Sequence, residues 1–188
     1  NLRNQDITIE TAKANDQHYE VPTGFYDLVL GPYKKYSCGL WRKDTRTLAD
    51  AEVNMLELYI KRAEIADGQE ILDLGCGWGS FSLYIGERFP NVKITALSNS
   101  KTQKEYIETE AKKRNIKSLK VITGDIGAIE LDKQFDRIVS IEMCEHVRNY
   151  DALFKKISVW MNSDAKVFIH IFGHQRYAYE FNGDDNSW

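Results

Sequence analysis

The residues with the clearest chemical meaning form a glycine-rich turn after a short apolar run. The run 70–74 contains one carboxylate that matters here, Asp73. Three glycines follow at alternating positions and lead into a helical stretch: Gly75, Gly77 and Gly79. Glycine lets the backbone approach a bound nucleotide closely, and the N-terminus of a following helix offers free N–H donors. The pattern therefore predicts a strand, a turn and a helix that bind a nucleotide-like cofactor.

The spacing of these glycines indicates which cofactor is bound. The order G-x-G-x-G differs from the G-x-G-x-x-G fingerprint of dinucleotide sites. Asp73, two positions before the first glycine, is also poorly placed beside an anionic pyrophosphate. S-adenosylmethionine carries an ammonium and a sulfonium and has no phosphate, so an acidic residue at the lip of the turn favours this cofactor.

Polar residues follow two further apolar runs, and ligands of open α/β sheets bind outside the carboxyl ends of the strands. Ser98 and Asn99 follow the second run, and Gln103 comes one helical turn later, so we expect these side chains to bond ribose hydroxyls. The acidic ribose ligand expected in such a site is missing. After the third run, Asp125 could accept from an adenine amino group and Ile126 could flank the ring. Capping and turn roles are the alternative for Ser98, Ser100 and Asp125.

The elements that position these residues alternate between strands and helices. This alternation is typical of parallel βαβ units in a doubly wound, mostly parallel α/β sheet. The predicted strands are 70–74, 92–97, 119–122, 135–141 and 167–172, and the helices between them are 80–89, 101–114 and 151–161. A mixed helical pattern over 11–30 and an amphipathic helix over 47–65 precede the sheet. We therefore predict an N-terminal helical lid over 1–66 and a cofactor-binding core over 67–188.

Composition narrows the class of protein. With 188 residues, 43% of them hydrophobic and 28% charged, the chain is an ordinary soluble domain with room for a core. A formal net charge of -3 disfavours nucleic acid as a partner. Three widely spaced cysteines predict neither a metal site nor a disulfide framework, so a cytoplasmic location is expected. No apolar run approaches the length of an integral membrane segment.

Five motifs in this order resemble the coclaurine N-methyltransferase-like family, which is itself similar to the cyclopropane fatty acid and mycolic acid synthases. The resemblance covers residues 15–188. The motifs are YSCGLW from Tyr36, DLGCGWG from Asp73, SNSKTQ from Ser98, EMCEHVRNY from Glu142 and HIFGH from His170. It implies a class I methyltransferase (Rossmann-like) fold with S-adenosylmethionine as methyl donor.

The resemblance also implies roles for residues outside the glycine turn. Tyr36 and Ser37 become cofactor contacts, and hydroxyl groups on a lid that excludes water fit that role. The fold uses seven strands, whereas five can be placed, so the C-terminal strands are expected to be missing. The open sheet edge would then make the chain poorly active and prone to associate.

A catalytic cluster is implied at Glu142, Glu145 and His146, after the fourth predicted strand. An amine is nucleophilic only when its lone pair is free, so a base that accepts its proton is useful. Taken alone, a Glu-His pair after a strand is usually a solvated turn. Glu20 on the lid and His174 past the fifth strand are expected near the substrate, whereas His170 within the strand is expected to be a core histidine.

Three functions remain open at this point. The first is N-methylation of a small-molecule amine. The second is methylene transfer to a lipid alkene, as in the cyclopropane synthases, but no basic or amphipathic membrane-facing stretch is clear. The third is a non-catalytic cofactor-binding module. Amine methylation is the leading hypothesis.

Overall fold

The computed structural model describes residues 5–8 and 23–176. Glu20 and most of the predicted helix 11–30 therefore lie outside the described residues. Two helices precede the sheet: α1 (Thr23–Val29) and α2 (Leu48–Ala63). Helix α2 matches the amphipathic pattern, and it begins where the Thr47 side chain and Asp50 form a reciprocal capping box.

The apolar runs form one five-stranded sheet. Its strands are β1 (Glu70–Leu74), β2 (Lys93–Ser98), β3 (Leu119–Thr123), β4 (Phe135–Ile141) and β5 (Met161–His170). Every neighbouring pair is parallel, in the order β3-β2-β1-β4-β5. From β1 the chain adds β2 and β3 on one side of the sheet, and it then returns to add β4 and β5 on the other side. This strand order confirms the predicted doubly wound α/β architecture.

The helices that connect the strands begin and end within two residues of their predicted bounds. They are α3 (Ser80–Arg88), α4 (Lys101–Lys113) and α5 (Tyr150–Val159), with a short 3₁₀ helix at Cys144–His146. Ser100 caps α4 and Asn149 caps α5, each by accepting from a backbone N–H in the first turn.

The fifth strand differs from its prediction. It begins at Met161, where a helix end was expected, and it ends at His170 rather than at residue 172. Met161 pairs with Phe135, but the next pair is Lys166 with Arg137, so the register shifts between them. This irregular stretch is polar and has no apolar pattern that would predict a strand. Asn162 Nδ2, within it, donates to the Asp136 carboxylate at 2.8 Å.

Apolar side chains fill both faces of the sheet. On one face, α2 and α3 pack against β1 and β2 around Leu56, Ile71 and Ile85. On the other, α5 covers β4 around Leu153 and Trp160. Within the described residues, no helix is both long and apolar enough to cross a bilayer. The division between residues 66 and 67 remains a prediction.

Candidate functional site

The glycine turn after β1 has the backbone conformation that its composition predicts. Gly75, Gly77 and Gly79 have φ values of 82°, 53° and 76°, a region that other residues rarely adopt. The N–H groups of Gly75 and Cys76 both bond the Leu97 carbonyl, at 3.1 and 2.9 Å, which ties the turn to the end of β2. Apart from its chain neighbours, no atom of residues 5–8 and 23–176 lies within 4 Å of the position that a Cβ on Gly77 would take, so the described residues leave this side of the turn open.

Asp73 lies beneath this turn and is almost fully buried, with 2% of its surface exposed. Its carboxylate accepts a hydrogen bond from Ser82 Oγ at 2.6 Å. Burial raises the pKa of Asp73 to about 6, and the Ser82 hydrogen bonds partly oppose that rise. A cation bound nearby would favour the ionised form, which agrees with the charge of the predicted cofactor.

The end of β2 holds a small polar network. Ser98 Oγ donates to Gln103 Oε1 at 2.7 Å and accepts from the Ser100 N–H at 3.0 Å. Ser98 therefore has the turn role considered from the sequence, and Ser100 has the capping role. Gln103 Nε2 is buried and has no hydrogen-bond partner within the described residues. Asn99 is half-buried beside this network, and cofactor contacts of Ser98, Asn99 and Gln103 remain predictions.

The end of β3 places Asp125 and Ile126 next along the same sheet edge. Asp125 Oδ1 accepts from the Gly127 N–H at 2.6 Å and from Thr8 Oγ1 at 2.8 Å, so the carboxylate organises a turn. Ile126 is buried. The proposed adenine contacts of both residues remain predictions.

Several buried polar atoms at this edge lack a partner within residues 5–8 and 23–176. Such atoms are uncommon in folded proteins and call for a ligand or ordered water. They include Trp78 Nε1, Ser80 Oγ, Gln103 Nε2 and Thr123 Oγ1. They belong to the turn after β1, to the first turns of α3 and α4 and to the end of β3, and they offer the donors and acceptors that a nucleoside requires. The residues present therefore fit S-adenosylmethionine.

The segment after α1 carries Tyr36 and Ser37 and is held by a buried carboxylate. Glu52, on the buried face of α2, accepts from the N–H groups of Gly31, Tyr33 and Lys35 at 3.0, 3.2 and 3.1 Å.

Aromatic rings then connect this segment to the glycine turn. Tyr26 packs edge-on against Tyr36 with 5.4 Å between ring centroids, and it lies 4.9 Å from the ring of Trp78. Tyr36 itself is 54% exposed. This arrangement suits the lid role predicted for Tyr36 and Ser37.

The segment after β4 packs directly on the glycine turn. A Cβ on Gly75 would lie 2.6 Å from Met143 Cγ, so glycine is required for the contact. Glu142 has a φ of 50°, and its N–H bonds the His170 carbonyl at 2.7 Å, which fixes it between β4 and β5. The fold thus places Glu142, Glu145 and His146 beside the predicted cofactor site.

The two carboxylates of this segment have different surroundings. Glu142 Oε1 accepts from the Cys38 N–H at 3.4 Å and lies 3.8 Å from His170 Nδ1. Glu145 Oε1 accepts from the Phe172 N–H at 3.2 Å, whereas its buried Oε2 has no partner within the described residues. His146 is exposed on the 3₁₀ helix, and His174 is exposed after β5. The substrate roles of these residues remain predictions.

A polar cluster that the sequence did not predict lies next to Glu142. Lys35 is 4% exposed, its ammonium contacts Ser37 Oγ, and it donates to the Tyr59 hydroxyl at 3.2 Å. The Tyr59 hydroxyl lies 2.8 Å from His170 Nδ1. His170 is therefore a half-buried residue of the site rather than a core histidine.

Burial and charge shift the titration of this cluster. Burial lowers the pKa of Lys35, although the nearby Cys38 and Glu142 oppose the change. Burial and the Glu142 carboxylate raise the pKa of the Cys38 thiol. Side-chain atoms of Cys38, Glu142 and His170, three residue types that bind metals in other proteins, lie within 4.8 Å of one another.

A periodicity in α2 could have revealed part of this cluster. Glu52, Met55 and Tyr59 lie three and four residues apart, and all three are buried on one face of the helix. A glutamate on an apolar face requires partners, and here these are the backbone N–H groups of the lid segment. The sequence gives no comparable signal for Lys35, whose burial depends on contacts across the fold.

Comparisons with known proteins agree with this geometry. (S)-Coclaurine N-methyltransferase of Thalictrum flavum subsp. glaucum is 40% identical over 188 residues, which are 100% of this chain and 52% of that protein. Cyclopropane mycolic acid synthase 1 of Mycobacterium tuberculosis is 31% identical over 156 residues, which are 81% of this chain and 53% of that protein. The chain thus spans about half the length of these relatives.

A solved structure shows the same fold. The crystal structure of coclaurine N-methyltransferase bound to N-methylheliamine and SAH has a TM-score of 0.94 and 40% identity, and it covers 99% of this chain and 54% of its own. This likeness confirms the predicted class I methyltransferase fold and the resemblance to coclaurine N-methyltransferases. The chain also matches the family described as mycolic acid cyclopropane synthetase over residues 7–188. Because that match covers nearly the whole chain, the protein belongs to the mycolic acid cyclopropane synthetase family.

Proposed function

We propose that this protein transfers a methyl group from S-adenosylmethionine to the nitrogen of a small-molecule amine. The observation that carries the proposal is the packing of the Glu142–His146 segment on the glycine turn, at the contact between Met143 and Gly75. A predicted cofactor site and a pair of carboxylates thereby share one edge of the sheet. The similar coclaurine N-methyltransferase, whose structure holds a methylated amine and SAH, supports the same assignment.

The chemistry requires a free lone pair on the acceptor nitrogen. S-adenosylmethionine, when bound, supplies an electrophilic methyl group. Glu142 and Glu145 attract the acceptor as an ammonium ion, and Glu145 with His146 accepts the proton that must leave the nitrogen. Glu145 Oε2 suits this role because it is buried and lacks a partner within the described part of the chain.

The remaining residues orient the reactants and exclude water. The lid segment with Tyr36 and Ser37 covers the cofactor side, as part of the N-terminal lid predicted over 1–66. A closed site keeps the acceptor aligned with the methyl group, which supplies much of the rate enhancement in a displacement reaction. The three cysteines of the described chain are free, which suits a reducing compartment such as the cytoplasm.

A second candidate is methylene transfer to a lipid alkene. It is favoured by the family match and by the 31% identity to a cyclopropane mycolic acid synthase. The higher identity to N-methyltransferases favours the amine.

One assay separates the candidates. The full-length protein is incubated with S-adenosylmethionine and either a panel of secondary and tertiary amines or vesicles of unsaturated phospholipid. Methylated amine supports the proposal, and cyclopropane product in the lipid supports the second candidate. Cofactor binding without turnover of either class would indicate a non-catalytic module.

A further inference from the structure

We propose that Tyr59 is a positioning residue, whose hydroxyl holds His170 away from Glu142 and thereby keeps the imidazole from pairing with the carboxylate that is to receive a cationic acceptor. The inference rests on the proposed amine methyltransferase function. It starts from three side chains on different elements: Tyr59 on α2, His170 at the end of β5 and Glu142 after β4. Tyr59 is 2% exposed, so its hydroxyl is enclosed by these partners.

The hydrogen-bonding capacity of each partner fixes the direction of the bonds. The Lys35 ammonium has donors and no acceptor, so at 3.2 Å it donates to the Tyr59 oxygen. Ser37 and Cys38 lie near the same hydroxyl. The neutral imidazole nitrogen of His170, at 2.8 Å, is a better acceptor than the Ser37 hydroxyl or the Cys38 thiol, so we assign the Tyr59 proton to a bond with His170 Nδ1. The ring proton of neutral His170 must then be on Nε2.

This arrangement keeps two oppositely polar groups apart. His170 Nδ1 and Glu142 Oε1 are 3.8 Å apart, too far for a hydrogen bond but close enough for one to form after a small rotation. With its Nδ1 lone pair occupied by Tyr59, His170 does not donate to Glu142. Without the hydroxyl, a proton on Nδ1 would pair with the carboxylate, and the charge available to an incoming ammonium would fall.

The first test reads the histidine directly, without any assay of turnover. Long-range ¹H–¹⁵N NMR of the imidazole, assigned with His170→Asn, reports which ring nitrogen carries the proton. We expect the proton on Nε2 in the parent protein at neutral pH. In Tyr59→Phe we expect the Nδ1-protonated or cationic form to become populated. A parent His170 protonated on Nδ1 would overturn the inference even if Tyr59→Phe failed to fold.

The second test separates positioning from structural support. In Tyr59→Phe we expect the KM for the amine to rise about tenfold with little change in cofactor affinity. Adding His170→Leu to Tyr59→Phe removes the competing donor and should bring that KM back toward the parent value. Tyr84→Phe is the matched control, because Tyr84 is another buried tyrosine, whose hydroxyl contacts Glu57 away from this cluster.

Failure of the Tyr59 role and failure of the proposed function give different results. An unchanged amine KM in a folded Tyr59→Phe, or a double variant no better than the single one, would overturn the positioning role. If no amine is methylated by the parent protein, the proposed function fails, whereas the NMR measurement still decides the bond between Tyr59 and His170.

Discussion

The carboxylate of Glu52 occupies the space where a side chain on Gly31 would have to lie. A Cβ on Gly31 would be 2.6 Å from Glu52 Cδ, and the Gly31 N–H donates to Glu52 Oε1 at 3.0 Å. The same carboxylate accepts from the N–H groups of Tyr33 and Lys35. One buried side chain on α2 thus determines the path of the segment that leads to Tyr36 and Ser37.

Replacing this carboxylate should loosen the lid. Glu52→Gln keeps the size of the side chain, but its amide NH2 must face at least one of the three N–H groups, that of Tyr33 when the amide oxygen takes the Oε1 position. We expect a loss of about 1 to 3 kcal/mol in unfolding free energy, because at least one N–H group loses its partner and the others lose a charged acceptor. Denaturant unfolding measures this loss.

The control is Glu57→Gln, one turn further along α2, where the carboxylate contacts Tyr84 and Arg88 and is 35% exposed. Because this pair is exposed, Glu57→Gln should lower the unfolding free energy by well under half as much as Glu52→Gln does. Equal losses in the two variants would show that Glu52 has no special role in the lid.

Cofactor affinity should depend on pH through Asp73. Burial raises the pKa of this carboxyl to about 6 in the folded protein, from 3.8 when solvated. A bound cation favours the ionised form, so affinity for S-adenosylmethionine should rise between pH 5 and pH 7 and then level off. Calorimetry in buffers of different ionisation enthalpy would detect the accompanying proton release. Asp73→Asn should bind weakly at every pH, and a slope retained in that variant would assign the titration to another group.

The raised pKa of Asp73 has the opposite effect on folding stability, which should fall as pH rises. Between about pH 4 and pH 6 the folded carboxyl binds a proton more tightly than the unfolded one, so stability without cofactor falls as pH rises through this window. The pKa difference corresponds to at most about 3 kcal/mol. Asp73→Asn should remove the fall and melt at a higher temperature than the parent at pH 7. An unchanged pH slope in thermal unfolding would contradict this account.

Local patterns predicted most of the sheet and the cofactor turn because these depend on neighbouring residues. The run 70–74 and the glycines after it are one strand and one turn, and the structure has both. The start of β5 was wrong because Asn162 and Asp136 make a contact between distant strands that no local pattern contains. Tyr59 and Lys35 were missed for the same reason, since their meeting with His170 depends on the packing of α2 against the sheet.

Gly79 should be required both for its backbone conformation and for the packing of α4 against the glycine turn. Gly79 and Gly68 have φ values of 76° and 84°, so alanine at either site carries a similar backbone cost, about 1 to 2 kcal/mol. At Gly79 the added Cβ would also lie 2.7 Å from Ile107 Cγ1, whereas at Gly68 it would meet no atom of the described residues within 4 Å. We expect Gly79→Ala to lose about 1 to 3 kcal/mol more than Gly68→Ala, by overpacking α4 against the turn. Equal losses in urea unfolding would mean that α4 moves aside freely.

His146 should matter for turnover and not for folding. It is exposed, and its backbone N–H bonds the Met143 carbonyl in any variant other than proline. His146→Ala should therefore change the unfolding free energy by less than about 0.5 kcal/mol. If His146 accepts the acceptor's proton, kcat should fall while cofactor affinity stays constant. If His146→Ala methylated the amine at the rate of the parent protein, His146 would have no part in the mechanism.

Replacing Glu145 should lower activity without lowering stability. Its Oε1 accepts from the Phe172 N–H, but its Oε2 is buried without a partner in the described part of the chain, and a buried unpaired charge destabilises the fold. Glu145→Gln preserves the size and the Oε1 acceptor while removing the charge, so the melting temperature should stay constant or rise. The amide cannot accept a proton, and kcat/KM for the amine should fall about 10²-fold to 10⁴-fold. Glu64→Gln, on a surface pair with Lys166, controls for the loss of one negative charge. A variant at Glu145 that is both less stable and fully active would show that this carboxylate supports the loop after β5 and takes no part in methyl transfer.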